Sequence, residues 1–177
     1  LGGNNLSLVG ESALGTSVYP GMEATDDQVV FETNVFSSDF RFGGLPQLHL
    51  DVTPAGPGGS IYALMEDCSA ENECIHIGHA IMDLRYHEGG TEYQNVIPGV
   101  EIRAKMEFFA MDVLVPEGHK IRLSLRDIGE DYLPPSTEAA VDIDISGNSV
   151  LRIHEINTDE KIFFEPPVCM HEDCLSE

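Results

Sequence analysis

The sequence contains no tryptophan and only three lysines, Lys105, Lys120 and Lys161. Nine basic residues stand against 31 acidic ones, for a net charge of −22. A surface so poor in positive charge repels phosphate backbones and anionic lipid, which argues against nucleic acid and membrane partners. It favours cations and solubility, and fits either an extracellular surface or a saline habitat. No apolar run approaches the length of a membrane span, and no signal peptide is visible. The chain starts at Leu1 rather than Met, which reads as a fragment or a processed product. No P-loop or dinucleotide fingerprint occurs. A G-x-S-x-G nucleophile elbow is missing as well. The nearest string, Gly10-Glu11-Ser12-Ala13-Leu14-Gly15, is one residue too long and follows no buried strand.

What remains has globular composition, with 42% hydrophobic and 23% charged residues in 177. A chain of that size buries roughly 70% of its unfolded surface around one core, so folding needs no metal. The four cysteines fall into two close pairs, Cys68/Cys74 and Cys169/Cys174. Neither pair has the C-x₂-C spacing of zinc or redox sites. Both lie in polar, loop-like sequence and read as two small disulfide loops, hence an oxidising compartment. Each closure contributes roughly 2 kcal/mol on the loop-entropy account.

The seven histidines are scattered. His76 and His79 are three apart in an expected strand, so strict alternation sends them to opposite faces, away from any shared metal. His79 then reads as a hydrogen-bonded core residue. His171 sits between Cys169 and Cys174, where a disulfide would remove the thiolates a metal loop needs. Asp142 and Asp144 read as a solvated strand face. Glu66, Asp67, Glu71 and Glu73 offer oxygen ligands for a structural Ca²⁺, though not in EF-hand order. No catalytic residue, cofactor or metal ligand is assigned.

Period-2 alternation organises the chain from Gln28 onward. Leu48, Leu50 and Val52 alternate with polar residues, as do Ile61, Ala63 and Met65. Ile75, Ile77, His79 and Ile81 read as one apolar face. Val100, Ile102, Ala104, Met106 and Phe108 form the clearest half-buried strand. Apolar positions then change parity at Phe109, Met111, Val113 and Val115, a sign of a bulge or of passage from edge to core. Ile121, Leu123 and Leu125 follow the Pro116-Glu117-Gly118 turn. Val141, Ile143 and Ile145 are expected to pair with Val150, Leu151 and Ile153 as a hairpin. Gly43-Gly44 and Gly56 to Gly59 read as turns. About eight or nine strands with regular turns imply an all-β jelly-roll sandwich. The expected organisation is a lead-in or linker over 1–27, the sandwich over 28–165 and a disulfide-clipped acidic tail over 166–177.

The order of these motifs resembles the C-terminal, non-catalytic domain of X-Pro dipeptidyl-peptidases and of the related cocaine-esterase-like and α-amino-acid-ester hydrolases. Leu1-Gly2-Gly3-Asn4 resembles the segment leading into that domain. Val29 to Thr33, Asp39 to Pro46 and Gln47 to Val52 are similar to its first strands and their Gly-Pro turn. Ser60 to Asp67 is similar to a strand ending in L-x-D, and Asp83-Leu84-Arg85-Tyr86 to an L-R-x-R-Y element. Val115 to Leu123 is close to P-G-H-R-I-R-L, with Glu117 inserted and Lys120 in place of Arg. Asn148 to Ile153 resembles the closing strand. The resemblance implies a galactose-binding-like jelly roll packed against an α/β-hydrolase domain that carries the Ser-His-Asp triad outside this region.

Three readings follow. The chain is the accessory domain of a secreted serine hydrolase, a freestanding carbohydrate-binding module, or a structural or adhesive unit in which residues 1–27 complete a neighbour's sheet. The scarcity of aromatic platforms weighs against the second.

Overall fold

The structure, a computed structural model, describes residues 3–7, 12–14, 29–126, 143–145 and 149–156. Its strands are β1 (Gly3–Ser7), β2 (Ser12–Leu14), β3 (Val29–Glu32), β4 (Phe40–Pro54), β5 (Ser60–Cys68), β6 (Cys74–Asp83), β7 (Ile102–Glu107), β8 (Met111–Val115), β9 (Lys120–Arg126), β10 (Ile143–Ile145) and β11 (Val150–Glu155), with a single 3₁₀ turn at Leu84–Tyr86. They form two antiparallel sheets.

The first sheet is four files wide, although seven strands build it. The long β4 runs through it. On one side β7 pairs with Gln47–Val52 and β8 with Phe40–Gly44. On the other, β11 pairs with Phe42–His49 and β10 with Val52–Pro54. Outside them, β1 pairs with β11 and β2 with β10. The second sheet has the order β3-β9-β5-β6. The result is an all-β sandwich of eight files, as the turn spacing implies.

Alternation places the core where it was expected. Leu48, Leu50 and Val52 of β4, Ile61, Ala63 and Met65 of β5, and Leu125 of β9 are fully enclosed between the sheets. Ala104 and Met106 join them from β7, Phe108 from just beyond its end, and Leu151 and Ile153 from β11. Each such Val, Leu, Ile, Phe or Met side chain contributes about 1.5–3 kcal/mol by leaving water. Val100 lies before β7 and is exposed. The parity change after Phe108 is a break between β7 and β8, which continue along the same edge of β4. Phe108 bridges the break by donating its N–H to Pro46 O at 3.0 Å.

Four expectations are corrected. The β10–β11 hairpin does not form, because both strands lie end to end along β4 instead of beside each other. Gly43-Gly44 is not a turn but part of the continuous β4. Ile156 packs across Gly43, with Cδ1 2.7 Å and Met111 O 3.3 Å from where a Cβ would stand, so a larger residue would displace the Ile156 side chain. Ile81 of β6 faces outward and Ile75, near the start of the strand, is exposed, while Ile77 packs against the core. Gly78, Ala80 and Met82 fill the inner side, and Met111 Cε would lie 2.7 Å from a Cβ on Gly78. His79 is therefore not a core residue. Within the expected lead-in, Gly3–Ser7 and Ser12–Leu14 are strands of the first sheet.

Candidate docking surface

The strand ends and connections carry the polar and aromatic groups that the core excludes. At the end of β6, the Asp83 carboxylate accepts the backbone N–H of Arg85 at 2.9 Å and caps the 3₁₀ turn. The same carboxylate takes a bidentate ion pair from the Arg85 guanidinium. Burial presses the Asp83 carboxyl upward, but hydrogen bonds from the Arg85 side chain and backbone outweigh it and hold it below the ordinary carboxylate value. Leu84 is driven fully into the core. The connection then turns back through Gln94, whose N–H reaches Arg85 O at 2.7 Å.

This anchored connection presents an apolar rim. The rings of Tyr86 and Tyr93 meet edge to face at 6.3 Å. Tyr93 is 64% exposed and Ile97 52%, with Val100 exposed beside them in sequence. Beside the rim opens a crevice of about 710 Å³ between β6 and β7, lined among others by His49, Ile81, Tyr86, Glu88 and Lys105.

The strand register concentrates positive charge next to the crevice. His49 pairs with Lys105, Asp51 with Arg103, and Gln47 with Arg152. Burial, and then the charges of Arg152, Arg103 and Lys105, push the His49 pKa below its ordinary value. Three of the nine basic residues thus share one face with Asp51, which lies 3.5 Å from Arg103, and with Glu107, which accepts from Gln47.

The motifs resembling family signatures turn out to be structural. His119 Nδ1 and Asp67 Oδ1 are hydrogen-bonded at 2.8 Å, tying the turn before β9 to β5. That turn closes through His119 N–H to Pro116 O, and Gly118 supplies the positive φ of 84° that its third position requires. The inserted Glu117 donates its N–H to Asp39 Oδ1. None of these groups faces the crevice.

Cys68 and Cys74 are register partners at the ends of β5 and β6 and are joined as a disulfide. Cys169, Cys174 and His171 lie outside the described residues. Of the four carboxylates considered for Ca²⁺, Asp67 is engaged by His119, and Glu66 stands within 4.8 Å of the Cys68 and Cys74 sulfurs. The disulfide removes those sulfurs as metal ligands.

One pairing of chemically active residues was hidden in the sequence. The β5–β6 register passes from Met65↔Gly78 to Glu66↔His76 and skips Ile77. This bulge changes the parity of β6 and places His76 and His79 on the same outer face. His79 Nδ1 lies 3.3 Å from His76 Nε2. The ring of His79 also stacks on Tyr62 and meets the exposed Phe109 edge-on. An irregular β5–β6 pairing is not encoded by residue spacing, so alternation alone could not find the pair.

The structure is a two-sheet β-sandwich whose signature-like motifs form turns and strand ties and, through Tyr86, part of an exposed apolar rim. The chain belongs to the family described as the X-Pro dipeptidyl-peptidase C-terminal non-catalytic domain, which matches residues 4–154. No curated protein matches it in sequence. Among solved structures, an aminopeptidase from a marine sediment Thaumarchaeota archaeon is similar with a TM-score of 0.63 and 15% identity, over 75% of this chain and 26% of that one. An α-amino acid ester hydrolase gives 0.62 and 13%, over 73% and 25%. A CocE/NonD family hydrolase from Staphylococcus aureus gives 0.66 and 11%, over 86% and 34%. The chain thus spans about a quarter to a third of the length of each. In the described residues, no helix is long and apolar enough to cross a membrane.

Proposed function

We propose that this chain is the accessory domain of a larger serine hydrolase or peptidase and docks on an α/β-hydrolase domain. The family match over residues 4–154 carries the reading. The partial coverage of three hydrolases supports it, since a similar fold occupies a minor share of each. The docking side is the rim of Tyr86, Tyr93, Ile97 and Val100 together with the neighbouring basic cluster of Arg103, Lys105 and Arg152. Apolar exposure suits an interdomain contact, and the local positive charge suits an acidic partner surface. The parent acts outside the cell, a placement supported by the Cys68–Cys74 disulfide and the net charge of −22.

The test joins this chain to the hydrolase domain of its own gene. A Tyr93→Glu/Ile97→Glu variant should leave the domain folded yet weaken association and parent stability. Unchanged association would reject this rim as the docking side.

A second reading, a glycan-binding module, draws on the crevice beside Tyr86, where one ring borders His49, Glu88 and Lys105. Binding of defined glycans, lost in Tyr86→Ala, would establish it. The adhesive reading loses support, because Gly3–Ser7 and Ser12–Leu14 pair with β11 and β10 of their own chain.

A further inference from the structure

We propose that His76 and His79 form a binding site for a divalent transition-metal ion of the Zn²⁺, Ni²⁺ and Cu²⁺ group. The site is created by the β6 bulge. In a regular strand two residues three apart would leave on opposite faces; because the pairing skips Ile77, both stand on the outer face of the second sheet. Their nearest nitrogens, Nε2 of His76 and Nδ1 of His79, are 3.3 Å apart. Two nitrogens bound tetrahedrally at the usual Zn–N length stand about 3.3 Å apart, so the spacing matches the bite of such an ion. The same spacing suits a hydrogen bond in the metal-free protein, in which one ring donates its N–H to the other's lone pair. The two rings are stacked at 5.3 Å with an interplanar angle of 29°, so turning both lone pairs toward one point calls for a rotation of the exposed His76 ring.

The surroundings favour a cation. Glu66 is the cross-strand partner of His76 and shares its outer face. Asp67 follows it on β5, and Glu71 and Glu73 lie in the adjoining turn, in a chain of net charge −22. That field raises the local concentration of cations. His79 is held between Tyr62, at a ring separation of 5.7 Å, and Phe109, at 6.1 Å. One ligand is therefore oriented before the ion arrives. Imidazole nitrogen selects the later first-row ions over Ca²⁺ and Mg²⁺, which require oxygen. Two nitrogens leave the remaining coordination positions to water.

The test titrates the metal-free 177-residue chain with Zn²⁺ by calorimetry and by imidazole NMR. The expected result is one saturable equivalent of micromolar affinity, with the His76 and His79 resonances shifting before those of the other histidines. Excess Ca²⁺ should not compete. His76→Ala and His79→Ala, each checked for an unchanged melting temperature, should weaken binding by about tenfold or more. Binding that is unchanged in the His76→Ala/His79→Ala double variant would overturn the proposal. So would the absence of any shift in the two rings at saturating Zn²⁺.

Discussion

His119 on the turn before β9 is hydrogen-bonded through Nδ1 to the Asp67 carboxylate of β5 at 2.8 Å. Both residues lie in motifs resembling family signatures, and a His–Asp pair invites a catalytic reading. Here it links two neighbouring strands of one sheet at the mouth of a turn. Asp67→Asn or His119→Ala should each lower stability by about 1–2 kcal/mol. The double variant should cost less than the sum. Urea unfolding of the four species measures the coupling; strict additivity would deny the pair its role.

Gly43 admits Ile156 across β4. Gly43→Ala should destabilise the domain, since its Cβ would fall 2.7 Å from Ile156 Cδ1 and 3.3 Å from Met111 O. Adding Ile156→Ala should recover part of the loss by removing the first clash. Thermal melts of the two variants decide this, and the backbone contact to Met111 predicts that recovery is incomplete.

These residues show where the sequence was readable. Alternation located the inner faces of β4, β5, β7 and β9, because each is a strand with one dry side. It failed on β6. Ile81 is apolar yet faces outward, Ile75 is exposed, and the bulge at Ile77 breaks the parity on which the method depends. It also failed on β10 and β11, whose short separation suggested a hairpin. Their partner is the far longer β4, which holds both end to end. The His76–His79 pair was misplaced for the same reason as β6, since its geometry follows from a cross-strand register and not from spacing.

Acid should weaken the fold in two stages. The His49 pKa is lowered by burial and by Arg152, Arg103 and Lys105, so the unfolded chain takes up that proton first. The stability contributed by neutral His49 is complete above about pH 6.5 and is lost as pH falls through the lower folded value. The carboxyls of Glu32, held down by Lys120 and Arg122, and of Asp112, held down by Arg41, lie below their ordinary values. With Asp83, they add stability that is present above about pH 4 and lost below it. Stability of the wild type relative to His49→Gln should therefore fall between about pH 7.5 and about pH 5. A constant difference across that range would contradict the His49 assignment.

Reduction of the Cys68–Cys74 disulfide should cost about 2 kcal/mol, the closure entropy of so short a loop. The effect should appear as a lower melting temperature in Cys68→Ala/Cys74→Ala with the sandwich retained. Strand pairing between β5 and β6 extends from Ser60↔Asp83 to Cys68↔Cys74, so the far end should hold without the bridge. Near-ultraviolet and far-ultraviolet circular dichroism would separate local fraying from loss of the fold.

The account centres on a non-catalytic domain that works as part of a larger hydrolase. Its most direct test is to label the native protein from its source with a fluorophosphonate probe, which marks activated serines, and to identify the labelled polypeptide by mass and peptide sequence. The account predicts a labelled serine outside Leu1–Glu177, on a polypeptide that also contains this sequence and is severalfold longer. A native protein no longer than this chain, or a labelled serine within it, would contradict the account.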